Sequence, residues 1–236
     1  MPEPSLIRVP QRGDNTLAYY LTELSDVFED EHRELMNEIA RACTERGWVQ
    51  PVAAMIDKLV DAGSNRDRLS SALEDLVYRR LVDVDPSGER FTGFLGGLAL
   101  FPTQHRAQLP SGISLYAHGG MELLTVESTL LKPVTVHSRC PVTELPLKLV
   151  IANEEIVEAS PIGIAGFLCD WDGQDRLAEV AARSPLFVDN RALDYWLSKR
   201  PELRGTELPA ELLLWIGMEA AKRIGHLRFK LIGYHG

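Results

Sequence analysis

An imidazole and a carboxyl group stand four residues apart in the segment His118-Gly119-Gly120-Met121-Glu122. An imidazole titrates near neutral pH, and a buried carboxyl group has a raised pKa and can serve as a general acid or base. A spacing of four places two side chains on one side of a helix. If this stretch is helical, the two groups can therefore face the same side and act together in proton transfer. An exposed helical carboxylate and a loop histidine that only packs are the alternatives.

The glycine pair between these residues, Gly119-Gly120, allows two interpretations. Without side chains, the backbone can approach a ligand closely, or the pair can form a turn with positive φ. We predict that both glycines contact a substrate.

The three cysteines, Cys43, Cys140 and Cys169, form no short motif. An odd number of cysteines without a secretory signal indicates free thiols in the reducing cytoplasm. Cys140 follows His137 by three residues, but a metal site needs further ligands that no spacing supplies. The sequence also contains no phosphate-binding glycine loop and no zinc spacing. We therefore predict neither a metal nor a cofactor.

The composition narrows the class of protein. The chain has 236 residues, of which 45% are hydrophobic and 25% charged, as in soluble globular proteins. No apolar run reaches the length of a membrane span, so a membrane protein is not expected. The net charge of −9 argues against a nucleic-acid partner, because phosphates are bound by clustered Lys and Arg. A small molecule is the expected partner.

The first half of the chain, residues 1–95, predicts a helical domain. Apolar residues recur at helical spacing from Asn15 to Gly47, and two shorter helices are predicted over 51–62 and 66–80. Two strands, 81–84 and 90–94, then flank a turn. Helix, turn, helix and hairpin is the outline of a winged helix. With 11 Lys and Arg against 18 Asp and Glu, however, residues 1–95 carry a charge of −7, which favours packing or dimerisation over DNA binding.

The second half, residues 96–236, mixes strands and helices. The predicted strands cover 114–117, 133–138, 145–152 and 162–169, and the predicted helices cover 120–131, 190–199 and 209–224. Asn190 is the expected N-cap of its helix. The fold class is therefore α+β, with a small mixed or antiparallel sheet flanked by helices.

The stretch from Gly97 to about Gly225 resembles the organomercurial (alkylmercury) lyase family. The resemblance is carried by the order and spacing of four pieces, and the family's winged-helix-like domain before its catalytic core matches the order above. The pieces are Gly97-Leu98-Ala99-Leu100 leading to Leu115-Tyr116-Ala117; the helix that ends near Leu124; Ser138-Arg139-Cys140-Pro141-Val142-Thr143 through Pro161-Ile162-Gly163; and Tyr195-Trp196-Leu197-Ser198-Lys199 with the C-terminal helix.

The family cleaves a carbon–mercury bond with two cysteine thiolates, which suit a soft metal, and an aspartate that transfers a proton. The resemblance puts the first cysteine at Gly119, the aspartate at Glu122 and the second cysteine near Ala181-Ala182. It thus implies that the mercury-cleaving pair is absent and that an acid is kept. On the ground of this match we predict that Glu122 transfers a proton and that His118 assists it. A glycine in place of cysteine should also enlarge the pocket.

Two further residues follow from the resemblance. Tyr116 matches a family residue and can line the pocket, and Cys140 matches a family cysteine of structural character. We include both among the expected substrate contacts.

These observations favour a divergent, lyase-like enzyme. It would run metal-free acid–base chemistry on a small organic substrate, such as elimination, decarboxylation, isomerisation or cyclisation, in specialised biosynthesis. The alternatives are a non-catalytic ligand-binding or accessory protein, an alkylmercury lyase with relocated cysteines at Cys140 and Cys169, and a transcription regulator. The sequence is also compatible with a homodimer.

Overall fold

The computed structural model describes residues 29–79, 81–94, 97–127, 133–170 and 177–223. These ranges contain six α-helices, eleven strands and a short 3₁₀ helix at Glu122–Thr125. The helices are α1 Asp30–Arg46, α2 Val52–Asp61, α3 Arg66–Tyr78, α4 Leu177–Ala182, α5 Asn190–Ser198 and α6 Ala210–Arg223. The strands are β1 Val82–Val84, β2 Phe91–Phe94, β3 Leu98–Ala99, β4 His105–Gln108, β5 Ser114–Ala117, β6 Val134–Arg139, β7 Pro146–Ala152, β8 Glu155–Ser160, β9 Ala165–Cys169, β10 Leu186–Phe187 and β11 Gly205–Pro209.

The three N-terminal helices begin and end at local signals in the sequence. α1 starts with a capping box in which the backbone N–H of Glu29 donates to Nδ1 of His32, and it ends at Gly47, whose φ of 75° is left-handed. α3 begins at Asn65, whose side chain accepts from the backbone N–H of Arg68. The part of the first predicted helix that covers residues 15–28 lies outside the described residues.

The main sheet has eight strands in the order β1-β2-β3-β5-β4-β6-β7-β8, and all of its pairs are antiparallel. The β1–β2 hairpin, predicted as the wing of the first domain, pairs with β3 and extends this sheet. One hydrophobic cluster also joins the helices before β1 to the strands after it. The α+β class is confirmed. The sheet is larger than expected because several two- to four-residue strands show too little alternation to be recognised.

A second, three-stranded antiparallel sheet has the order β10-β9-β11. β9 is buried along its whole length, so it shows a continuous apolar run rather than alternation. Helix α5 follows β10, and its N-cap is Asp189 rather than the predicted Asn190, because the Asp189 carboxylate accepts from the N–H of Ala192 at 2.8 Å.

The segment before the 3₁₀ helix departs from the prediction. A helix was expected over 120–131, but residues 118–121 form bends and Glu122 begins the 3₁₀ helix. Residues 128–131 lie outside the described residues. The helical spacing argument for His118 and Glu122 is therefore wrong, and any proximity between them must come from tertiary packing.

Within the described ranges, none of the helices combines the length and the apolar character that a bilayer crossing requires.

Candidate active site at Glu122

Glu122 is a buried carboxylic residue held between two glycines. Its exposed fraction is 7%. A Cβ atom added to Gly97 would overlap Cγ of Glu122, and one added to Gly119 would lie 2.8 Å from Oε2. A side chain at either glycine would therefore collide with the present position of the Glu122 side chain. The two glycines are therefore required for the carboxyl group to lie where it does.

Burial governs the protonation of this carboxyl group. Desolvation raises the pKa of Glu122 to about 7, and a backbone hydrogen bond opposes the shift only in part. A carboxyl group in this range exchanges its proton near neutral pH, which is the property that a general acid or base needs.

Gly119 lies against the chain segment at the end of α4. A Cβ atom on Gly119 would overlap the carbonyl oxygen of Ala181 and lie 2.8 Å from its carbonyl carbon. The two places to which the resemblance assigned cysteines are thus neighbours in space, beside Glu122. The expectation that glycine enlarges the pocket is wrong, because a backbone carbonyl fills the space that a side chain would occupy.

Gly120 is also closely packed. A Cβ atom at this position would lie 2.7 Å from Cγ of Leu186 in β10. This glycine lets the 3₁₀ segment approach the second sheet. Its contact with substrate stays a prediction.

His118 directly follows β5 and is paired with Gly97 through the backbone. Its backbone N–H donates to the carbonyl oxygen of Gly97 at 2.9 Å, and its ring meets Phe101 edge to face at 5.5 Å. Because Gly97 also packs against Glu122, one glycine contacts both predicted acid–base residues. Burial lowers the pKa of His118, and the charge of Asp83 opposes that shift.

Tyr116 and Cys140 occupy different surroundings. Tyr116 is half-buried in β5, paired with Ala99 and Arg106 on the flanking strands. Cys140 is fully buried directly after β6. Burial raises the pKa of its thiol, but hydrogen bonds from Thr143 and from backbone N–H groups, including that of Val188, outweigh this and lower the pKa. Cys140 therefore joins the end of the main sheet to the residue after β10.

The sequence analysis missed a buried polar pair, His105 in β4 and Ser138 in β6. The ring nitrogen Nδ1 of His105 lies 2.8 Å from Oγ of Ser138. Burial, together with the charge of His118, lowers the pKa of His105 to about 4, so this imidazole is neutral at pH 7. Alternation within β4 would have marked His105 as inward-facing, had that short strand been recognised.

No three His, Cys, Asp or Glu residues among those described are close enough to form a metal site. Cys43, on the inward face of α1, is buried, and burial raises its pKa to about 12. Cys169 is also buried and donates to the carbonyl oxygen of Asp170.

The fold is that of the organomercurial lyases. A solved structure, the crystal structure of the mercury-bound form of MerB2, superposes on this chain with a TM-score of 0.74. The sequences are 22% identical, and the match covers 89% of this chain and 100% of that chain. At this identity the likeness establishes the fold alone. None of the curated proteins matches this sequence.

The family follows from a second comparison. The MerB model, described as alkylmercury lyase, matches residues 98–222, more than half of the 236 residues. The chain therefore belongs to the alkylmercury lyase family, and the resemblance drawn from the sequence is confirmed. Gly119, Glu122 and Ala181 all lie within the matched range.

Replacing Gly119 with cysteine should destabilise the protein. The new Cβ would overlap the Ala181 carbonyl, and backbone cannot move aside as a flexible side chain can. We expect a loss of about 2–3 kcal/mol in the free energy of unfolding, measured by urea denaturation. The control is Ala182→Cys at the exposed neighbouring position, which should change it by less than about 0.5 kcal/mol. Equal effects of the two substitutions would contradict the close packing.

The buried carboxyl group should make stability depend on pH. Glu122 has its pKa raised from 4.5 to about 7, so its favourable contribution is complete below pH 4.5 and is lost as the pH rises through 7. As the pH rises from 4.5 to 7, wild type should therefore lose about 3 kcal/mol in its free energy of unfolding relative to Glu122→Gln. The exposed Glu74 provides the control, and Glu74→Gln should follow the wild-type curve. Parallel curves for wild type and Glu122→Gln would refute the buried acid.

Proposed function

We propose that this protein is a divergent member of its family that runs metal-free acid–base chemistry on a small organic substrate. Glu122 transfers the proton and His118 assists. The observation that carries the proposal is the buried Glu122 carboxyl, whose pKa of about 7 suits proton transfer at neutral pH. The reaction belongs to elimination, decarboxylation, isomerisation or cyclisation, and a role in specialised biosynthesis is part of the proposal.

The missing sulfur atoms support a change of chemistry. Thiolates select soft metals, whereas Gly119 and Ala181 offer only a backbone carbonyl and the adjacent Glu122 carboxyl. The proton donor at this place is therefore the Glu122 carboxyl group rather than a thiol. The thiols of Cys140 and Cys169 are buried in other contacts: Cys140 accepts from backbone N–H groups, and Cys169 donates to Asp170.

The proton balance is simple. Protonated Glu122 gives its proton to the substrate atom that gains an electron pair when a bond breaks, and it becomes a carboxylate. The carboxylate then recovers a proton either from the substrate carbon that loses one, as in isomerisation or elimination, or from solvent through His118. No oxidant or reductant is consumed.

A ligand-binding or accessory protein is the second candidate. The Ala181 carbonyl and the Leu186 side chain fill the space beside Gly119 and Gly120, which leaves little room for a reacting substrate between these groups. Such a protein would be stabilised by a ligand without converting it. We also propose that the chain acts in the cytoplasm on a small molecule, either as a monomer or as a homodimer.

Glu122→Gln should abolish turnover at pH 7, while its melting temperature at pH 4.5, where the Glu122 carboxyl is protonated, should differ little from that of wild type because the amide keeps the shape of the protonated acid. The measurement is conversion of a panel of small hydroxy, keto and amino acids in D₂O, followed by mass spectrometry and NMR. Wild-type protein should form a product or exchange a proton that Glu122→Gln does not, whereas Glu74→Gln should match wild type. Conversion that survives Glu122→Gln would sink the assignment, and thermal stabilisation without product would favour the binding protein.

Phenylmercury protonolysis separates this proposal from a mercury lyase with relocated cysteines. Protein is incubated with phenylmercury and excess thiol, and benzene release is measured for wild type, Cys140→Ser and Glu122→Gln. We expect no enzymatic benzene from any of them. Benzene that requires Cys140 would overturn the metal-free proposal.

A further inference from the structure

Asp83, in the hairpin assigned to the first predicted domain, shares a sheet face with the candidate active site. The cross-strand partners run from Asp83 in β1 to Gly93, then Ala99, then Tyr116 in β5. Directly opposed residues in antiparallel strands carry their side chains on the same face. Asp83 and Tyr116 therefore stand on one face, separated by two of the smallest residues.

His118 belongs to the same face. The hydrogen bond from its N–H to Gly97 continues the β3–β5 ladder one pair beyond Leu98 and Ala117. Side chains alternate along a strand, so His118 follows Tyr116 on this face. Glu122 lies there too, because its Cγ occupies the space where a Gly97 side chain would stand.

A floor of Gly93, Gly97 and Ala99 thus lies beneath Asp83, His118 and Glu122, with Tyr116 on the same face. Oδ2 of Asp83 lies 2.8 Å from the Cβ position of Gly93, so the carboxylate leans over the floor rather than away from it. A larger residue on the floor would keep the side chains of Asp83 and His118 apart.

The electrostatics agree with this placement. The charge of Asp83 raises the pKa of His118 against the lowering effect of burial. The other groups that face His118 are the ring of Phe101 and the imidazole of His105. Among the described residues that interact with the His118 imidazole, Asp83 is the one with an acidic side chain.

We propose that Asp83 is a positioning residue of the Glu122 site, which orients the His118 imidazole and stabilises it when it holds a proton. A carboxylate beside an imidazole selects one tautomer and favours the imidazolium ion. The inference rests on the proposed function of Glu122 and adds a residue from β1, outside the predicted catalytic domain. It makes the β1–β2 hairpin a functional part of the site.

The test is the titration of His118 by ¹⁵N NMR of the histidine rings, assigned with His118→Gln. Asp83→Asn keeps the shape and removes the charge, so the midpoint of His118 should fall by about one pH unit, a tenfold loss in proton affinity. Asp83→Glu should restore most of it. The control is Asp67→Asn on the exposed face of α3, which should leave the midpoint unchanged. A residue with only a packing role would change the melting temperature but not this midpoint.

Two outcomes separate this inference from the function on which it rests. If Glu122, followed by ¹³C NMR of its carboxyl group, titrates near 7 while Asp83→Asn leaves His118 unchanged, the role of Asp83 is refuted and the acid is retained. If Glu122 titrates near 4.5 in wild type, the proposed function fails, whatever His118 does. Should Asp83→Asn not fold, the midpoint in Asp83→Glu and its dependence on salt decide the same question.

Discussion

The site depends on one constraint, the close packing of backbone around the Glu122 carboxyl. Gly97 and Gly119 lie so near this side chain that neither position admits a methyl group. The carboxyl group is buried as a result, and desolvation raises its pKa to about 7. The same packing brings the N–H of His118 onto Gly97. The packing that fits the backbone around the Glu122 side chain is therefore also the cause of its raised pKa.

The main sheet runs without a break from the β1–β2 hairpin to β8, and this continuity determines which residues lie near Glu122. β2 pairs with β3, so the hairpin predicted as part of the helical domain forms one end of the main sheet. The hydrophobic cluster runs through the same junction. A change in the hairpin can thus reach the site through two strand pairings, which would not be possible if a linker separated two domains.

The family scaffold here holds oxygen donors at the place of sulfur donors. The positions that the resemblance assigned to two cysteines are Gly119 and Ala181, and the carbonyl of Ala181 fills the space that a cysteine side chain at Gly119 would need. Loss of the thiolates and closure of their space go together, because a void left in a packed interior would cost stability. The fold of the family is retained, whereas the positions that the resemblance assigned to the two thiolates carry no sulfur.

The sequence by itself determined the family, the α+β class and most of the longer helices and strands, because these depend on local periodicity, caps and motif order. The role of Glu122 as an acid stays a prediction. The sequence could not supply the two-residue strands, the 3₁₀ start at Glu122 or the Asp189 cap, since neighbouring choices differ too little in local free energy. Only the tertiary structure placed Gly97 and Ala181 against Gly119 and Glu122, and Asp83 on the face of His118. Those contacts join residues far apart in the chain, and their burial, which sets the pKa values, exists only after the sheet has formed.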